Sequence, residues 1–360
     1  MAVGVSRRQS RAFLLLTAAA AALALTLVTR AQQNDVNVQF HAFQDSRGVT
    51  VLSPTIDLNR DFTDRLGLRL KFGVDAVSAA SDSCIRCHRD GADNRRVFVN
   101  AGLQRPLGKA LFSFGGEYSR ENFYQATTGF TSISRAFNQD NTTIAGGYSF
   151  SWNQPELHPT DEWEQQYSQT GFVSLTQNVT KLTAVQAGLE IGHITGYQAN
   201  PFLRAVVNGV RELGNAPDLR TRRTYTARIR QGLPAETYLE ADYRRYTDTW
   251  DVRSNTLSIG VSHYVTPSLM FGGSYRRYTQ TGAFFWAPEY TGTPEFYTAD
   301  FRLEPFDSNL YSGRMVYSPP NPLLFFPKGS ALTLQYERYT STTGFQAATF
   351  SSGFRIPLSK

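Results

Sequence analysis

From Val36 to Leu358 the chain repeats one pattern, apolar and polar residues alternating at a period of two. Leu66, Leu68, Leu70, Phe72 and Val74 share one face of their segment, and Arg69, Lys71 and Asp75 share the other. Tyr225, Ala227 and Ile229 stand against Thr226, Arg228 and Arg230. Leu257, Ile259 and Val261 stand against Ser258, Gly260 and Ser262, and Leu332, Leu334 and Tyr336 against Thr333, Gln335 and Glu337. A period of two is the signature of strands, because successive side chains leave a strand on opposite faces. Turn sequences such as "RPLGK", "NQDN" and "NVTK" alternate with longer connections. The pattern predicts about 14 to 16 strands of roughly 9–14 residues, long enough to cross a bilayer when tilted.

Alternation alone also suits a secreted soluble sandwich. Three features favour a membrane barrel instead: the strands are long, charges recur on one face throughout, and aromatics crowd strand ends, as in "YSFSW". A barrel turns its apolar face to lipid and keeps a polar interior. The expected fold is therefore an all-β transmembrane antiparallel β-barrel with an even number of strands. Between Phe306 and Gly329 the pattern blurs, and "SPPNPLLFFPKG" fits an outer loop or a long inner turn equally well.

The first residues read as an address. Arg7, Arg8 and Arg11 precede an apolar run from Phe13 to Val28, and Ala31 is a suitable cleavage point. Residues 1–31 are read as a signal peptide, by the general secretory route rather than the twin-arginine one, and 32–360 as one barrel unit. Without the four arginines of that segment, 32 basic residues face 30 acidic ones. So near-neutral a balance gives no case for nucleic acid as a partner. The remaining chain has no apolar run near the ~18 residues of a membrane helix. These readings place the protein in the bacterial outer membrane, with outer-membrane lipid around it.

Several segments resemble one family: "VDAVSAAS" (Val74–Ser81), "FNQDNTT" (Phe137–Thr143), "SLTQNVT" (Ser174–Thr180), "GYQANPFLRAV" (Gly196–Val206) and "PDLRTRR" (Pro217–Arg223). Further on, "YRRYTDTWDV" (Tyr243–Val252), "YRRYTQTGAFFW" (Tyr275–Trp286) and "ADFRLEPFDS" (Ala299–Ser308) extend the likeness. The chain is similar to an uncharacterised family of bacterial outer-membrane proteins, domain of unknown function 3570. The resemblance implies an outer-membrane barrel and no established activity.

The sharpest chemical motif is "CIRCH", in which Cys84 and Cys87 are the only cysteines and His88 follows directly. This spacing attaches c-type haem: both thiols bond the porphyrin side chains and the histidine ligates iron. A disulfide between Cys84 and Cys87 suits an oxidising compartment but leaves His88 without a role. A zinc site would need ligands that the sequence does not place. Counting strands from a periplasmic start puts residues 78–94, with the motif, in a loop on the outer side. As sixth iron ligand His41 is the best internal candidate, because its alternation with Phe40 and Ala42 turns it to the lumen. His193 and His263 share lipid-facing positions, His158 lies in a loop, and Met270 and Met315 are the remaining candidates by type.

Arg69, Lys71, Asp75, Arg228, Arg230, Glu240, Asp242 and Arg244, with Asp300, Arg302 and Glu337, read as a mixed-charge lumen. Residues 200–223 read as a long loop able to fold inward. The sequence shows no nucleophile–base pair, phosphate-binding glycine loop or paired carboxylates in a suggestive setting, so no enzyme is expected. Two functions are expected, in this order. The first is a barrel carrying one covalent haem c for electron transfer, with a periplasmic or cell-surface cytochrome as partner. The second is a passive porin-like channel in which the cysteine pair only ties a loop.

Overall fold

A computed structural model describes residues 34–63, 65–78, 94–157, 160, 162–201, 203–322 and 327–358. The expected signal peptide and the C-x-x-C-H segment lie outside them. The chain enters at β1 (Asp35–Asp45) and passes through β2 (Thr50–Thr63), β3 (Leu66–Ser78), β4 (Asn94–Leu107) and β5 (Ala110–Glu121). It continues with β6 (Tyr124–Phe137), β7 (Thr142–Pro155), β8 (Gln166–Asn178) and β9 (Thr183–Gly196). A small hairpin of β10 (Arg204–Val207) and β11 (Val210–Leu213) stands apart from the main sheet. Then follow β12 (Leu219–Leu233), β13 (Thr237–Asp248), β14 (Arg253–Thr266) and β15 (Leu269–Gln280). The last three are β16 (Phe306–Tyr317), β17 (Ala331–Ser341) and β18 (Gln346–Pro357).

Sixteen of these strands form one closed antiparallel barrel, the upper end of the expected range. Pairing of β1 with β18, from Asp35 opposite Pro357 to Asp45 opposite Ala347, closes the sheet. Closure leaves no free sheet edge, which is what a spanning sheet needs where no water can satisfy the backbone. The outer face carries the apolar set, with Phe72, Ile133, Ile259 and Tyr336 each about half exposed. In water such a surface would be costly; in lipid it is the stable arrangement. Aromatics mark this face at the loop rim, where Trp152 stands opposite Tyr167.

The ends of the described chain, Asn34 and Leu358, sit on one rim, together with short turns such as Asn138–Asn141 and Ala235–Glu236. Left-handed backbone at Asn138, Gln139, Asp140, Ala235 and Glu236 makes these tight reversals. The one long connection on this rim joins β16 to β17, so the ambiguous stretch after Phe306 divides into a strand and a long turn on the terminus side. The opposite rim carries the longer loops, and Ser78 and Asn94, which flank the C-x-x-C-H segment, end their strands there.

Inside, part of the wall is packed by cross-strand pairs of glycine and phenylalanine. Phe98 lies over Gly73, Phe130 over Gly115 and Phe172 over Gly147. A methyl carbon added at these glycines would lie 2.3, 2.6 and 2.5 Å from the respective ring. The glycines therefore let the rings lie flat against the sheet, an aromatic covering of backbone known to support strand pairing.

Candidate functional site

The lumen encloses about 2710 Å³. That exceeds the ~300–1,000 Å³ of an enclosed small-molecule pocket and suits the aqueous interior of a 16-stranded barrel. Its lining is rich in hydroxyls and charges, including Ser168, Thr170, Thr224, Thr256, Ser258 and Ser274.

Two clusters of ion pairs stand on opposite walls. On the wall from β2 to β5, Arg69 pairs with Asp61 at 3.1 Å and Lys71 with Asp57 at 3.8 Å. Arg96 bridges Asp75 and Glu117, 3.6 Å from each. Across the barrel, Arg228 pairs with Asp242 and lies 3.5 Å from Glu240, which also accepts from Arg230 at 2.7 Å. Arg220 pairs with Asp248, its Nε donating at 2.9 Å. Arg244 has only a long 3.5 Å contact to the Thr224 hydroxyl. All these side chains face inward because they share the strand face opposite the lipid-exposed residues.

The histidines separate in the same way. His41 faces the lumen, where its Nδ1 shares a 2.7 Å hydrogen bond with Ser351 Oγ and its charged neighbours are Lys71, Glu337 and Asp75. His193 and His263 are exposed on the outer face, bonded to Thr221 and Thr237 respectively. Met270 lines the lumen. His158, Cys84, Cys87 and His88 lie outside the described residues. Among the described residues, no group of three or more His, Cys, Asp and Glu side chains is placed to hold a metal ion.

At the loop rim, the connection between β15 and β16 bends back over the lumen. Its 3-10 turn, Phe301–Leu303, is capped by Asp300, whose carboxylate accepts from Arg302 N at 3.0 Å and ion-pairs the Arg302 guanidinium. Burial alone would raise the Asp300 carboxyl, but Arg302 and Arg220 outweigh it and hold the group below its ordinary value. Glu304 is pushed up, by burial first and then by Asp300. The turn is held from several sides. Gln280 Nε2 donates 2.8 Å bonds to the carbonyls of Arg302 and Glu304, and Arg47 stacks 5.7 Å from the Phe301 ring centre. Leu303 is buried with Trp250, Val252, Ala283 and Phe285. Arg302 acts electrostatically on Tyr124 of β6, eight strands around the barrel from β16, so the turn reaches across the mouth.

Asp300 and Arg302, read from the sequence as lumen charges, lie on this inward turn in the lumen lining. One expectation changes here. Residues 200–223, expected as a loop able to enter the lumen, divide into the β10–β11 hairpin and the start of β12. The hairpin turns at Asn208–Gly209, both in left-handed backbone, the usual chemistry of a two-residue turn. It docks on the β15–β16 connection: Asn208 exchanges backbone and side-chain bonds with Tyr290 and Gly292, and Asn215 with Tyr297 and Glu295. The "VVNGV" sequence carried this hairpin signal, whereas nothing local to residues 300–304 marks an inward bend.

Solved outer-membrane porins share the architecture. The BenF-like porin from Pseudomonas fluorescens Pf-5 matches with a TM-score of 0.51 and 9% identity, over 91% of this chain and 98% of that one. Pseudomonas aeruginosa OpdK, solved with vanillate, matches with a TM-score of 0.50 and 9% identity, over 90% and 97%. At such identity the likeness concerns the fold alone. No curated protein matches the chain in sequence. The sequence does match one family over residues 85–161 and 156–344, more than half its length, and the chain belongs to that family, the protein of unknown function (DUF3570) family.

Proposed function

We propose that the protein is a passive, porin-like channel of the outer membrane that admits small polar solutes. The observation that carries this reading is the lumen itself, about 2710 Å³ lined by hydroxyls and charges inside an apolar outer surface. The inward turn at Asp300–Glu304 narrows the mouth and sets the size limit. Likeness in fold to porins supports the reading, and vanillate in the OpdK structure is a fact about that protein only. Liposomes carrying the mature protein should swell in neutral sugars, quickly in monosaccharides and progressively more slowly as the sugar grows. Liposomes that stay tight to the smallest sugar, with the barrel folded in them, would remove this function.

A second reading keeps the haem, and what favours it is "CIRCH" between two strands that end at the loop rim. Its donor set fits the group: Cys84 and Cys87 offer two thioether bonds and His88 an axial imidazole. Bound there, haem would supply one-electron exchange. One haem in one loop does not cover a ~30 Å hydrocarbon core, so passage across the membrane would need a cytochrome partner. This places haem second to the channel. Protein made with haem-maturation machinery should keep covalent haem after denaturation, and a denatured band of unmodified mass would eliminate the reading.

A further inference from the structure

The two charged walls differ in what they leave over. On β2–β5 the carboxylates Asp57, Asp61, Asp75 and Glu117 are engaged by cations of the same wall. On β12–β16, Asp248, Asp242 and Glu240 are taken up by Arg220, Arg228 and Arg230. Four inward arginines of that wall, Arg222, Arg244, Arg276 and Arg314, lie in the lumen lining without an ion pair among the described residues. The buried Arg222 Nε has no hydrogen-bond partner at all. Arg276 reaches only the Ser258 hydroxyl, at 3.4 Å. One carboxylate, Glu190 of β9, acts on both Arg222 and Arg244, without pairing closely with either.

The strand register sets these four in a descending series. Arg222 stands opposite Asp248 near the loop rim, and Arg244 is deeper, opposite Thr226. Arg276 comes next, opposite Ser258, and Arg314 lies deepest, opposite Gly272. The series therefore starts beside the inward turn and runs toward the terminus rim. A guanidinium offers a planar fork of donors that suits carboxylate and phosphate oxygens, and low-dielectric walls focus its field into the lumen.

We infer that Arg222, Arg244, Arg276 and Arg314 form a track for small oxyanions, carboxylate or phosphate solutes handed from one guanidinium to the next. The inference deepens the channel reading and rests on it. Planar bilayers holding the full mature protein under a potassium chloride gradient test it. The wild type should reverse on the chloride side of zero, and inorganic phosphate or succinate should slow the chloride current at millimolar levels. A variant combining R222Q, R244Q, R276Q and R314Q, folded as judged by heat-modifiable migration, should lose most of the selectivity and the slowing. R314Q alone, the deepest of the four, should lower both partially and guards against a quadruple variant that does not fold. Slowing by only one of the two anions keeps the track and assigns its ligand. A wild type that conducts but prefers cations, or whose selectivity the variants leave unchanged, overturns the track while the channel stands. A wild type that inserts and carries no current overturns both.

Discussion

The wall from β2 to β6 and the wall from β12 to β16 face each other across the barrel and share one backbone plan, yet their interiors are built differently. The first is closed on itself. Its acids and bases pair within the wall, and Phe98 and Phe130 lie over Gly73 and Gly115. The second is open. A methyl group has room at Gly260, and arginine exceeds carboxylate among its inward residues. Alternation specifies a barrel in both cases; what the inward set leaves unpaired decides which wall meets solute and which only supports it.

The largest effect expected from this contrast comes from adding one side chain to each wall. At Gly115 a Cβ would lie 2.3 Å from the Ala101 carbonyl oxygen as well as against Phe130, so backbone must move. Gly115→Val should cost about 3 kcal/mol or more by overpacking. At Gly260 the nearest atoms are 3.5 Å and 3.6 Å away, an ordinary contact. Gly260→Ala should be neutral or stabilise by up to about 1 kcal/mol through the unfolded chain. Urea midpoints in detergent report both, and equal sensitivity at the two sites would break the comparison.

A smaller effect is expected from removing one charge per wall. Arg96→Gln leaves Asp75, buried at 6% exposure, and Glu117 without their shared cation, and should cost roughly 1–3 kcal/mol. Arg276→Gln removes a cation that has no ion pair and should change stability by no more than about 0.5 kcal/mol. Matching losses in the same urea titration would show that the arginine wall is as tightly paired as the other.

The smallest effect expected is on the seat of the inward turn, through pH. The Asp300 carboxyl sits below its ordinary value of 3.8, so its contribution is fully present above that value and fades as pH falls below it. Glu304 has the opposite sign: its carboxyl is raised above 4.5, so the seat firms slightly as protons bind in mild acid. Current noise from the turn should therefore stay flat or fall between pH 7 and about 4.5, and rise only below 3.8. Noise that climbs steadily from neutrality would contradict the seating.

The strands were legible because a lipid-facing side chain must be apolar wherever it occurs, and that requirement is written locally, as at Leu257, Ile259 and Val261. The strand count stayed open between 14 and 16, of which the barrel has 16, because a proline-rich connection could sit on either rim. The rim itself was not legible. The β10–β11 hairpin announces its turn at Asn208–Gly209 but not its dock, which joins Asn208 to Gly292 from 84 residues away. The bend at Asp300–Glu304 depends on Gln280, Arg47 and a cluster around Trp250, none of them near in sequence. Which arginines stay unpaired is likewise settled by register between strands, not by the run of residues along one.

Single-channel recording tests the central claim most directly. Mature protein refolded in detergent and inserted into a planar bilayer in symmetric potassium chloride should give discrete, ohmic current steps. Replacing Asp300–Glu304 with a short glycine–serine link should make those steps larger, because the turn narrows the mouth. A barrel that is folded, inserted and heat-modifiable but carries no steady current in either form would contradict the account.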